Sequence, residues 1–186
     1  MLLVKKVLKI LDFDIENRPL SYWYDRPTAE ITAIASCWVN DIRTMEVKVL
    51  GRDDPRDILE WFVNRYNEAD IVTGHYIRRH DLPQINGGLM EYGMEKLAPK
   101  MTSDTRLDMY KKGDIPATQE YLSELFGLPL EKVYMSQVKW REGNRLSPEG
   151  IAATEKRATG DVYQHILLRN YMLEQGLLKS PKIWRP

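Results

Sequence analysis

The sequence predicts an α/β domain: a mixed central sheet with three leading antiparallel strands and flanking helices. Three observations carry this reading. An apolar run rich in Val, Leu and Ile lies near the N-terminus, two alternating segments follow within residues 30–49, and from residue 54 onward amphipathic helical patterns alternate with short apolar runs.

Residues 2–16 open in the Val/Leu/Ile run, a composition that suits a central strand better than an edge one. Residues 30–39 alternate, with Ile31, Ala33, Ala35, Cys37 and Val39 on one face, and Met45, Val47 and Val49 repeat the pattern after a turn at Asn40-Asp41. These two segments read as antiparallel neighbours. A helix then begins with Asp54 as N-cap, Pro55 at the first helical position and Asp57 in the first turn, and carries Ile58, Leu59, Phe62, Val63 and Tyr66 at helical spacing. A short strand is expected at 70–73, a second helix near Leu82-Pro83, and a third from Thr118 to a stop at Gly127. Ser147-Pro148-Glu149 opens a short helix that Thr159-Gly160 is expected to end, capping a last helix that runs to Gly176. With no repeat, low-complexity tract or Gly/Ser linker, residues 1–186 read as one domain.

Composition narrows the function classes. The 186 residues hold 27 Lys+Arg against 27 Asp+Glu, which excludes a polybasic coat and an acidic tail, and 43% apolar content excludes a disordered polymer. The single Cys37 rules out an internal disulfide and a Cys/His zinc cluster. No signal-type apolar core and no 18-residue apolar span occurs, so neither signal peptide nor membrane anchor is expected and a cytoplasmic setting, bacterial or phage-infected host included, fits. The neutral total conceals a division: residues 139–186 carry nine basic against five acidic residues, and the acidic excess falls in residues 1–138.

The most unusual local feature is Leu11-Asp12-Phe13-Asp14-Ile15-Glu16 at the end of the first strand. Strand side chains alternate, so Asp12, Asp14 and Glu16 share one face and Phe13 and Ile15 the other. Three aligned acids on a central strand repel one another and are costly to desolvate unless a cation or water stands before them. Hard divalent cations take such oxygen ligands, and phosphoryl-transfer enzymes commonly hold two of them. The alternative is that the strand has ended and Asp14 and Glu16 are solvated loop acids. Two more acids stand at element termini, each with its own bland reading: Asp81 as a helix N-cap ahead of Pro83, and Asp161 in a first helical turn where it complements the dipole.

In combination, Phe13-Asp14-Ile15-Glu16, Gly74-His75-Tyr76 through His80-Asp81-Leu82-Pro83, and Arg157-Ala158-Thr159-Gly160-Asp161 resemble the three motifs of the DnaQ-like 3′–5′ exonucleases of the RNase H-like fold, the DEDD superfamily. The second motif resembles the form found in proofreading domains of replicative polymerases. Ser103-Asp104-Thr105-Arg106-Leu107-Asp108 resembles the segment after it, and Trp140 falls where such domains often carry a Trp. The resemblance spans residues 9 to about 173 and implies that Asp14, Glu16, Asp81 and Asp161 ligate two Mg²⁺ or Mn²⁺ ions. These would clamp the scissile phosphate at a 3′ end, activate the water, stabilise the leaving oxygen and release a nucleoside 5′-monophosphate.

The chain departs from the family at its fourth catalytic element. Members carry a His five residues before the last Asp, or a Tyr four before it; here those positions are Lys156 and Arg157. The His form is the nearer match, with Lys156 in the place of the base. On one continuous helix residue 156 would stand about 140° from Asp161 and Arg157 only about 40° away, and the expected break at Thr159-Gly160 removes that objection. Lysine is charged at neutral pH, so Lys156 is expected to stabilise the phosphate or position the water rather than act as a neutral base. Tyr76 stands where relatives often have Asn, and His80 where they have Phe. His75 and His80 are expected to pack or bond locally, and His165 to be structural.

For the substrate, Asn17, Trp23, Tyr76 and Arg157 are the candidate contacts. The aromatic stretch Ser21–Pro27 offers rings that stack on splayed bases or, alternatively, tuck back on the core. Arg78, Arg79, Arg141 and Arg145 are phosphate contacts or solvated charges. The expected activity is a stand-alone, metal-dependent 3′–5′ exonuclease on single-stranded or frayed DNA, with RNA as a second option and a polymerase or replication partner. The rivals are a catalytically weakened nucleic-acid-binding or interaction module on the same fold and, less favoured on acid spacing, an RNase H-like endonuclease.

Overall fold

The computed structural model describes residues 7–17, 22–23, 26–110, 115–130 and 133–186. Six strands form a mixed sheet in the order β5-β4-β1-β6-β7-β8, namely β1 (Ile10–Asn17), β4 (Ile31–Trp38), β5 (Asp41–Val49), β6 (Ile71–Gly74), β7 (Lys100–Asp104) and β8 (Lys182–Trp184). A separate two-stranded ribbon joins β2 (Tyr22–Trp23) and β3 (Arg26–Pro27). The helices are α1 (Pro55–Glu68), α2 (Asp81–Glu91), α3 (Thr105–Asp108), α4 (Gln119–Leu125), α5 (Gln137–Arg145) and α6 (Pro148–Glu174). None is long and apolar enough to cross a membrane.

The three leading sheet strands β1, β4 and β5 are antiparallel, as their alternation predicts, while β6 and β7 run parallel to β1 and β8 closes the edge antiparallel. β1 is central and begins at Ile10, so that residues 7–9, read as strand, precede it; residues 2–6, also read as strand, lie outside the described residues. The alternation of β1 divides the core. Leu11, Phe13 and Ile15 face α1 and α2, where Phe13 meets the Phe62 ring at 4.9 Å between centroids. Asp12, Asp14 and Glu16 pair in register with Cys37, Ala35 and Ala33 of β4. Those small residues pack with Ala158, Val162 and Ile166 of α6.

The expected break at Thr159-Gly160 does not occur, and α6 is one continuous helix. The cost of an interior glycine is only about 1 kcal/mol, and α6 lies against three strands of the sheet at this point. Thr159 also satisfies a helical carbonyl, its Oγ1 donating to Glu155 O at 2.9 Å. Continuity sets a geometric match. Four helical residues rise about 6 Å and two strand residues about 6.7 Å, so Arg157, Asp161 and His165 stack along α6 at nearly the pitch of Glu16, Asp14 and Asp12 along β1.

Candidate active site

The C-terminal end of β1, the turn after β6, α3 and the middle of α6 together enclose an open cavity of about 230 Å³. Asp14, Glu16 and Asp161 present carboxylate oxygens within 4.8 Å of one another, and Asp81 lines the same cavity. Asp81 is buried and opens α2, yet it is not the N-cap: that position is His80, which makes no capping bond. Instead Asp81 Oδ1 accepts the Ile15 N–H at 3.3 Å, tying the second acidic segment to β1. Asp161 sits mid-helix, far from the first turn. Both bland readings of these acids therefore fail for structural reasons.

Burial drives the Asp14 pKa well above the ordinary carboxylate value, and Asp81, Asp161 and Glu16 add to the rise while Arg157 opposes it. Four acids around one cavity are the donor chemistry of a hard divalent cation, which would relieve that repulsion. Arg157 lies among them, its Nε 2.9 Å from Asp161 Oδ2 and 3.2 Å from Glu16 Oε1, while Nη1 donates to Val133 O at 2.8 Å. Lys156 points elsewhere. It is exposed and lines a different cavity with Ile42, Met45, Val133 and Tyr163, the consequence of its position on an unbroken helix. The residue that the helix turns toward the acids is Arg157.

Among the proposed substrate contacts, Asn17, Tyr76 and Arg157 line the cavity. Trp23 belongs to β2, and its side chain lies outside the described residues. Tyr76 has a φ of 74°, a left-handed conformation rare for a bulky residue. Asp104 holds it there: Oδ1 accepts the N–H groups of Tyr76, Arg106 and Leu107 at 3.0–3.1 Å, and Oδ2 accepts that of Arg78 at 3.1 Å. The same clamp sets the Arg106 guanidinium 4.1 Å over the Tyr76 ring. Arg106 and His75 also line the cavity. Arg106 is visible in the sequence only as part of the Ser103–Asp108 segment, since its partner lies thirty residues away.

Asp104→Ala is expected to cost about 2–3 kcal/mol, because it removes four hydrogen bonds from a fully buried carboxylate that holds a strained turn. Urea midpoints check this; a loss under 1 kcal/mol would mean that the turn keeps its shape without the clamp.

His165, read as structural, is buried between Asp12 and Thr105, with Nδ1 2.6 Å from Asp12 Oδ2 and Nε2 3.0 Å from Thr105 Oγ1. His75 Nδ1 reaches the same hydroxyl at 2.9 Å, and Nε2 donates to Ala117 O at 2.9 Å. His80 bonds Asp81, which raises its pKa.

No family model matches the chain, and no curated protein does. A solved structure does: the family B DNA polymerase from the hyperthermophilic archaeon Pyrobaculum calidifontis superposes with a TM-score of 0.68 over 90% of this chain at 19% identity. The fold is RNase H-like. The chain spans a quarter of that polymerase's length, so the similarity concerns one part of a larger protein and establishes architecture.

Proposed function

We propose that the chain is a 3′–5′ exonuclease domain comprising residues 1–186, which hydrolyses terminal phosphodiester bonds of single-stranded or frayed DNA, with RNA as a secondary substrate, and releases nucleoside 5′-monophosphates. The observation that carries this reading is the convergence of Asp14, Glu16 and Asp161, from opposite ends of the sequence, to within 4.8 Å beside Asp81. A shared architecture with a DNA polymerase and a second motif of the proofreading type agree with it. Asp14, Glu16, Asp81 and Asp161 would hold two divalent ions, Mg²⁺ or Mn²⁺, which supply Lewis-acid stabilisation of the phosphate and a more acidic water.

The chain's own residues bind and orient. Arg106 and Arg157 offer guanidinium groups to phosphate oxygens, the Tyr76 ring a surface for a terminal base, and Asn17 an amide at the exit of β1. Neither position of the family's fourth element serves as a general base: Lys156 stands outside the cavity, and an arginine does not give up its proton. That observation favours a second reading, a nucleic-acid-binding module of reduced catalytic rate.

A 5′-labelled oligonucleotide incubated with Mg²⁺, Mn²⁺ or EDTA distinguishes the two. A ladder shortening from the 3′ end in the metal lanes alone is expected. Intact oligonucleotide with retained binding establishes the second reading. In the same assay Lys156→Ala is expected to keep the rate within about twofold, as for an exposed residue away from the site; a loss beyond tenfold would return Lys156 to the reaction.

A further inference from the structure

We propose that Arg157 is a displaceable counter-ion of the acidic cavity: its guanidinium bridges Glu16 and Asp161, and binding of a divalent cation moves it off these carboxylates, free to meet a substrate phosphate. The proposal rests on the reading of the cavity as a metal centre. One nitrogen, Nε, stands 2.9 Å from Asp161 and 3.2 Å from Glu16. These are two of the three acids whose oxygens converge within 4.8 Å. A divalent ion bound by oxygens requires separations of about 2.0–2.6 Å, so an ion held by Glu16 and Asp161 enters the space that the guanidinium controls.

Two cations cannot share these oxygens at such range without strong repulsion, and the usual escape is closed, because arginine keeps its charge. That repulsion is what drives the side chain off the carboxylates. The side chain has room to move: Arg157 is partly exposed, lines the open cavity, and pivots on a helix whose backbone is fixed by packing against the sheet. Its Nη1 bond to Val133 O is the tether that such a movement stretches or breaks. The arrangement has two consequences for the chain. Without metal, Arg157 offsets part of the acid repulsion and holds β1 to α6. With metal, the same charge is released to bind an anion, which couples metal loading to substrate capture.

The test is Mn²⁺ binding to the whole chain by calorimetry or electron paramagnetic resonance, for the wild type, Arg157→Gln and Arg157→Lys. Arg157→Gln is expected to bind Mn²⁺ more tightly, on the order of tenfold, with a lower thermal midpoint in EDTA that Mn²⁺ restores. Arg157→Lys is expected to fall between the two. In the wild type, the Arg157 Nε–H signal in ¹H–¹⁵N spectra is expected to shift and lose exchange protection as Mg²⁺ saturates. That measurement stands even if the glutamine variant folds poorly. An unchanged or weaker Mn²⁺ affinity in Arg157→Gln, or an Nε–H signal indifferent to Mg²⁺, overturns the proposal while the metal centre stands. Absence of Mn²⁺ binding in all three chains overturns the metal reading and the proposal with it.

Discussion

Asp14→Asn is expected to lower metal-dependent hydrolysis by on the order of 10³-fold or more in kcat/KM and, at the same time, to raise the stability of the metal-free protein. The two effects share a cause. Asp14 faces Asp81, Asp161 and Glu16 in a site where burial already disfavours its charge, so its pKa stands well above the ordinary value. A carboxyl whose folded pKa exceeds its unfolded one contributes stability below the unfolded value, and that contribution is lost as pH rises through the folded value. Without metal, the wild type should weaken as pH climbs from about 4 through the raised pKa of Asp14, whereas Asp14→Asn should lack that decline. At neutral pH in EDTA the variant should gain about 1 kcal/mol or more, some 2–4 °C for a chain of this size. Thermal melts in EDTA across pH, beside rates on a labelled oligonucleotide, check both halves. Activity within tenfold of wild type, or a lower melting temperature, would remove Asp14 from the centre of the site.

The sequence exposes the acids of this site well and their counter-charges poorly. Period-two alternation is enough to place Asp12, Asp14 and Glu16 on one face of β1, and the structure turns that face toward α6. It also shows why the bland readings of Asp81 and Asp161 fail: Asp81 opens α2 but gives its carboxylate to the Ile15 N–H rather than to a cap, and Asp161 lies far from either end of α6. What local patterning misjudges is the weight of a Thr-Gly pair inside a long helix. The intrinsic penalty is about 1 kcal/mol, and packing of Ala158, Val162 and Ile166 on Ala33 and Ala35 outweighs it. That one boundary decides which basic residue meets the acids: with a break, Lys156 is free to approach, and without it the helix presents Arg157. Arg106 was hidden for another reason. Its contact with Tyr76 depends on the Asp104 clamp between two segments, which no local period encodes. The short edge strand β8 likewise forms only because β7 supplies its partner.

His165→Ala is expected to cost about 2–3 kcal/mol at pH 7, the range for stripping the hydrogen-bond partner from a buried carboxyl. Asp12 is fully buried, and His165 bonds it at 2.6 Å. Burial raises the Asp12 pKa, while the charge and hydrogen bond of His165 pull it down, so removing the imidazole raises it further. The sign follows as for Asp14: the carboxylate, left with Arg169 and the Phe13 N–H to oppose its burial, destabilises the fold at neutral pH, and the penalty shrinks toward pH 4 as a proton takes the place of the lost partner. The double variant Asp12→Ala/His165→Ala should lose clearly less than the sum of the single changes, because the buried carboxyl goes together with its hydrogen-bond partner. Urea midpoints at pH 7 and pH 4.5 measure both quantities. A penalty independent of pH, or strict additivity, would mean that His165 acts by filling volume alone. The expected result separates three acids that the strand aligns identically. Asp12, met by His165 inside the core, holds α6 in register, and that register is what delivers Asp161 and Arg157 to Asp14 and Glu16 at the cavity.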